Sequence, residues 1–259
     1  MDLDRAVERS RAVNRIRRCL RPGDVINCKS DDPWYALLDR VAHKCIRVHQ
    51  ERIFGKNART DDTHTMIYLD DRHTLSVEPP RVCWAEVFDY CLGHITIYRY
   101  VHLERILRQV GDRNWVFDMM KCAGAIMEGR KYDYGNHILG YPQIIRHALF
   151  DLAFRRKVCS VGVRIVFEHL RHRLEERRPD VPMDRLFSRI NLQAWKEAGK
   201  IPPAPNEQTG KLVDVEATAP AHFANSRFYA GEFELVAEFD RGVIVRCMQG
   251  TPVCDILRL

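Results

Sequence analysis

The stretch DDTHTMIYLDDRHTLSVEPP, residues 61–80, holds two runs rich in Ile, Tyr, Val and Thr on either side of the polar Asp70-Asp71-Arg72. Such runs read as a β-hairpin with strands over 63–69 and 73–78. Period-two alternation puts His64, Met66 and Tyr68 on one face, and Thr74, Ser76 and Glu78 on one face of the partner. If the turn is centred on Asp71, opposed residue numbers sum to 142 and His64 faces Glu78. Directly opposed Cβ atoms lie about 4.5–5.5 Å apart, close enough for a carboxylate to hold an imidazole in the tautomer of a general base. A two-residue turn at Asp70-Asp71 gives the other register and sends Glu78 to the far face. His73 opposes Leu69 in the first register, roughly 17 Å along the strand from His64.

Working outward, Asp24–Cys28 upstream and His94–Tyr100 downstream are further strands of an antiparallel sheet. Residues 2–19 form an amphipathic helix on Val7, Val13 and Ile16, ended by Arg21-Pro22-Gly23. A second helix spans 33–54, with Pro33 in its first turn. The pattern is helical from 101 through 116, again over 118–127, and then over about 141–153, 159–177 and 184–198. Strands return at 233–239 and 243–247, joined by Asp240-Arg241-Gly242. The class is α+β, a mostly antiparallel sheet with helices on both sides, in one domain over 1–259. The N-terminal helix 2–20 and the C-terminal strands 233–259 read as extensions of it.

A hydrophobic share of 46% and a charged share of 29% belong to an ordinary globular chain and exclude a disordered or fibrous one. The nine cysteines are scattered, odd in number and free of any CxxC pair. They point to a reducing, cytoplasmic setting, not to a disulfide framework or a zinc knuckle. No run of about 18 apolar residues spans a membrane. The formal charge of +6 is mild, and Arg171, Arg173, Arg177 and Arg178 alternate with Glu168, Glu175 and Glu176 as on a solvated helix face. Nucleic acid is not an expected partner.

Chemistry requires a group beyond the hairpin, and Cys159 in RRKVCSVGVRIVFEHL supplies it. It stands where a helix begins, ahead of the apolar stripe Val161, Ile165, Val166 and Leu170. There the macrodipole and free backbone N–H groups favour thiolate, and the same N–H groups form half of an oxyanion hole. The competing reading is a small buried apolar residue. Glu168-His169-Leu170-Arg171-His172 lacks the HExxH spacing, so no metal site is expected. There is no glycine-rich phosphate loop and no GxSxG, and no cofactor is implied.

The order Pro22-Gly23-Asp24-Val25-Ile26, a helix, THTMIYL (63–69), SVEP (76–79), ITIYRY (95–100), KYDYG (131–135) and CSVGV (159–163) resembles a known family. It is similar to the permuted branch of the NlpC-type papain-like superfamily, the YiiX-like proteins, whose wider group includes the lecithin retinol acyltransferases. The segment TAPAHFANSRFY (218–229) resembles the PxxFxxS stretch of those proteins, and the similarity runs from about Arg21 to Phe239. The resemblance implies a circularly permuted papain-like fold and cysteine–histidine catalysis on amide or ester bonds of a small-molecule, peptide or lipid acyl substrate. Cys159 is then the nucleophile, His64 the base and Glu78 its orienting group, with Tyr132, Tyr134 and Ser160 lining the site or supporting the oxyanion. Acyl transfer to a lipid and a non-catalytic binding module are the alternatives. Thr63 in place of a serine, Val161-Gly162 in place of a bulkier pair, and the long 33–54 segment depart from the family pattern.

Overall fold

A computed structural model describes residues 3–29, 47–48, 50–51, 54, 59, 61–78, 81–86, 92–129, 131–132, 156–157, 159–180, 220–225 and 233–248. The helices read at 33–54, 141–153 and 184–198 fall largely or wholly outside them.

The chain is α+β. Helix α1 (Leu3–Cys19) leads into strand β1 (Asp24–Lys29), followed by β2 (His64–Asp70), β3 (His73–Glu78), β4 (Arg81–Ala85) and β5 (His94–Tyr100). Helices α2 (Leu103–Val110) and α3 (Arg113–Met127) come next, then the short strands β6 (Lys131–Tyr132) and β7 (Arg156–Lys157). Helix α4 (Cys159–Arg177), the one-turn α5 (Pro220–Ala224) and the hairpin β8 (Phe233–Asp240) and β9 (Val243–Cys247) complete the order. One sheet runs β7-β6-β4-β3-β2-β1-β5-β8-β9, antiparallel at every junction except β6–β7.

Alternation along the strands divides the core into two layers. On one face, Ile26, Cys28, Met66, Tyr68, Ile95 and Ile97 pack beneath α1, which buries Ala12, Ile16 and Cys19 at the i, i+4, i+7 spacing of a helical stripe. On the other, Val25, Ile67, Leu75 and Val77 meet α3 and α4 through Met120, Ala123, Val163, Val166 and Phe167. Helix α1 and strand β8 both pack into this architecture. Helix α1 covers one whole layer, and β8 is hydrogen-bonded along β5 from His94↔Asp240 to Tyr100↔Phe233.

Two glycines set the approach of helix to sheet. Gly23 has φ +91°, and a Cβ there would lie 2.4 Å from Leu103 Cδ2. At Gly162 in α4 an added Cβ would lie 2.4 Å from Val77 Cγ2, so the small residue lets α4 settle onto β3. Gly162 thus has a packing reason in this chain.

Sequence and structure differ locally in three places. The helical run from 101 breaks after Val110, where Gly111 adopts a left-handed C-cap and Asp112 caps α3 by accepting from Trp115 N–H at 2.9 Å. Strand β4, which the two prolines after Glu78 obscured, pairs from Glu78↔Arg81 to Thr74↔Ala85. His73 opposes Asp70 and not Leu69, because the hairpin carries a bulge between Tyr68 and Asp70.

Candidate active site

The hairpin register decides what His64 faces. Met66↔Ser76, Ile67↔Leu75 and Tyr68↔Thr74 all belong to the 142 register, and the slip is confined to the turn. Carried two residues further, that register sets His64 across from Glu78. The described contact of the imidazole is nevertheless diagonal: His64 Nε2 lies 2.8 Å from Ser76 Oγ, both residues being buried. The backbone of Glu78 closes β3.

Cys159 is the first residue of the 19-residue α4, as the apolar stripe predicted. Its thiol lies 4.0 Å from the carbonyl oxygen of Thr63, and the N–H groups of Thr65 and Ser160 also approach the sulfur. The sulfur therefore meets the main chain on both sides of His64. Ser160, expected to support an oxyanion, is buried beside it and contributes both hydroxyl and N–H.

The two groups reach this rung of the sheet from opposite faces. His64 pairs with Cys28, alternates with Met66 and leans toward Ser76, all on the α1 side. Cys159 belongs to the layer that holds Leu75, Val77 and α4. At 1% exposure its thiol is closed to solvent, and burial pushes its pKa up to about 11 against the opposing pull of the Thr65 and Ser160 N–H groups. The helix N-terminus, expected to favour thiolate, is outweighed by burial. Tyr132 lies on β6 as a backbone position only, and Tyr134 lies outside the described residues.

A second polar assembly, missed in the sequence, occupies the sulfur's face two strands away. His94 on β5 sits with Nε2 3.1 Å from Glu238 Oε1 and Nδ1 3.7 Å from Asp62 Oδ1. Arg59 pairs with Glu238 and donates to the Tyr98 hydroxyl at 3.1 Å. Asn27 bridges inward, donating to Asp62 Oδ2 at 3.3 Å and to the carbonyl of Pro220 at 2.9 Å while accepting from Thr65 Oγ1. Asp62 above all, with Glu238, lifts the His94 pKa to about 9. The available signal was alternation: His94, Thr96 and Tyr98 share a face in HITIYRY, a polar stripe inside a buried strand.

The charges of α4 are largely met at home. Arg164 and Arg171 both bond Glu168, Arg171 also bonds Glu175, and Arg173 bonds Glu176. Among the described residues no group of three His, Cys, Asp or Glu side chains is placed to hold a metal ion, and no helix is long and apolar enough to cross a membrane. Among the described cysteines, Cys19, Cys28, Cys83, Cys122 and Cys159 are free and Cys247 is disulfide-bonded.

No family model matches the chain, and no curated protein matches it. Among solved structures, the crystal structure of the metalloprotein yiiX from Escherichia coli O157:H7 aligns with 85% of this chain and 98% of its own, at 15% identity and a TM-score of 0.39.

Proposed function

We propose that the chain is a cysteine hydrolase of circularly permuted papain-like type that cleaves an amide or ester bond through an acyl-enzyme. One observation carries the reading: the sulfur of Cys159, at the head of α4, lies against the main chain of Thr63 and Thr65, the two neighbours of His64. Almost a hundred residues of chain separate Cys159 from that stretch of β2, against whose main chain its sulfur packs.

In this reading Cys159 Sγ attacks the substrate carbonyl carbon and its proton passes to His64, whose ring must leave the α1 face it occupies at rest to receive it. The oxyanion so formed is met by N–H groups at the start of α4. Collapse breaks the carbon–nitrogen or carbon–oxygen bond, with the leaving group taking its proton from His64. Water then attacks the thioester, gives a proton to His64, and releases the acid and the thiol. Glu78, across from His64 in the register, is assigned the orienting role. Since the resting thiol is buried and neutral, the mechanism starts from the thiol, and substrate must displace what covers the sulfur.

The test is acylation by p-nitrophenyl acetate, with the acetyl group located by peptide mass. The reading expects acetyl on Cys159, turning over to acetate, and a loss of roughly 10²-fold or more in His64→Ala. Acetyl confined to the half-exposed Cys83 and Cys122, indifferent to His64, would remove it. Acetyl retained until an added lipid amine accepts it would redirect the assignment to acyl transfer.

A further inference from the structure

The peptide bond between Pro220 and Ala221, at the start of α5, is gripped on both of its polar edges by buried amide side chains. Asn27 Nδ2 donates to the Pro220 carbonyl at 2.9 Å, and Gln50 Oε1 accepts from the Ala221 N–H at 2.7 Å. Asn27 and Gln50 have no exposed surface. Each is in turn fixed at Asp62: Asn27 Nδ2 also donates to its carboxylate at 3.3 Å, and Gln50 Nε2 to its main-chain carbonyl at 3.0 Å. Thr65 Oγ1 donates to Asn27 Oδ1 at 2.9 Å and holds that amide from the other side. The two side chains thus present one donor and one acceptor, set to meet the two sides of a single secondary amide.

This grip sits beside the candidate nucleophile. Asn27 lies directly opposite Thr65, one strand spacing of about 4.8 Å away, and the Thr65 N–H is one of those that approach the Cys159 sulfur. Ala221 and Phe223 of α5 belong to the same core layer as Cys159, with Phe223 seated edge-on against Phe233 at 5.2 Å. We infer that Asn27 and Gln50 form a binding subsite for a secondary amide, and that the chain's own Pro220–Ala221 peptide fills it as a built-in competitor of substrate. The inference rests on the hydrolase reading and narrows it. An ester offers Asn27 a carbonyl but has no N–H for Gln50, which leaves a buried acceptor unmet and favours amides.

Acetyl-prolyl-alanine methylamide, which repeats the gripped bond, and its depsipeptide with oxygen in place of the alanine N–H test this in the full chain. Binding is read from the Asn27 side-chain ¹H–¹⁵N signals, and release of α5 from hydrogen exchange over residues 220–225. Phe223→Leu loosens α5 without touching the grip; it is expected to bind the amide roughly tenfold tighter than wild type, with faster exchange over 220–225. In that variant the depsipeptide should bind roughly tenfold more weakly than the amide, and adding Gln50→Met should bring the two together. Amide and depsipeptide bound alike by a chain that keeps Gln50 overturn the inference, as does binding that leaves 220–225 protected or an affinity indifferent to Phe223. If Cys159 is nevertheless acetylated by p-nitrophenyl acetate in a His64-dependent way, the hydrolase reading outlives that failure. Amide-selective binding with no acetyl reaching Cys159, even in Phe223→Leu, keeps the subsite and removes the hydrolase reading instead.

Discussion

The thiol of Cys159 lies 4.0 Å from the carbonyl oxygen of Thr63, one residue from the imidazole-bearing His64 and shut away from water. A neutral thiol suits that site, because burial disfavours the thiolate more than the nearby N–H groups favour it. In a titration followed by thiolate absorbance at 240 nm, the difference between wild type and Cys159→Ala is expected to stay flat from pH 5 to about 9 and to rise toward pH 11. A step near neutral pH would show that the sulfur is activated at rest.

Arg99 and Asp24 form a two-pronged pair across β1 and β5, Nε–Oδ1 2.8 Å and Nη2–Oδ2 2.7 Å, while Arg99 also donates to the carbonyl of Cys19 at 3.1 Å. The pair ties the end of α1 to the sheet, and burial raises the Asp24 pKa to about 6 in spite of Arg99. Arg99→Met strands a carboxylate in the core and is expected to cost about 3–5 kcal/mol in urea unfolding. Asp24→Asn/Arg99→Met should recover part of that loss, and a fully additive double mutant would contradict the coupling.

The His94 ring, held chiefly by Asp62 and also by Glu238, binds its proton more tightly in the fold than in the unfolded chain. Its contribution to stability is complete below the unfolded value near 6.5 and is lost as pH rises through about 9. The loss is on the order of 2 kcal/mol, after allowing for the partial exposure of the ring. Thermal melts at pH 6 and pH 9.5 should differ by several degrees in the wild type and by much less in His94→Gln.

Gly162 lets α4 approach Val77 more closely than any side chain would permit. Alanine in a free helix is worth about 1 kcal/mol over glycine, but here its methyl meets Val77 Cγ2, and overpacking of this kind costs about 1–3 kcal/mol. Gly162→Ala is therefore expected to lower Tm, and Val77→Ala in the same chain should restore part of it by making room. A higher Tm for Gly162→Ala alone would mean that α4 is free to shift.

Legibility followed the range of the signals. The strands that carry alternation, β1, β2, β3, β5, β8 and β9, were readable, and α4 was readable to its first and last residue because Cys159 begins an apolar stripe and Arg177 precedes Pro179. The 142 register holds in the strands because the bulge between Tyr68 and Asp70 offsets a turn that pairs Asp70 with His73 and is not centred on Asp71. Strand β4 was lost behind Pro79 and Pro80. The contact of His64 with Ser76 was not readable, because side chains on a sheet reach diagonally as well as straight across. Nor was the balance at Cys159: a helix start is visible in sequence, but the dryness of the place it is carried to depends on the whole core. The His94 assembly escaped for the same reason, its members coming from positions 59, 62, 94 and 238.

Because β8 lies between β5 and β9, the sheet cannot close until the chain has been synthesised past residue 247. A nascent chain that has reached only residue 232 would carry the hydrogen-bonding flank of β5 as an open edge, with the apolar underside of α1 lacking Val236 and Phe239. Completion of this fold is thus a late event on the ribosome, and truncations from the C-terminal side should yield sticky, protease-sensitive products rather than a smaller stable domain.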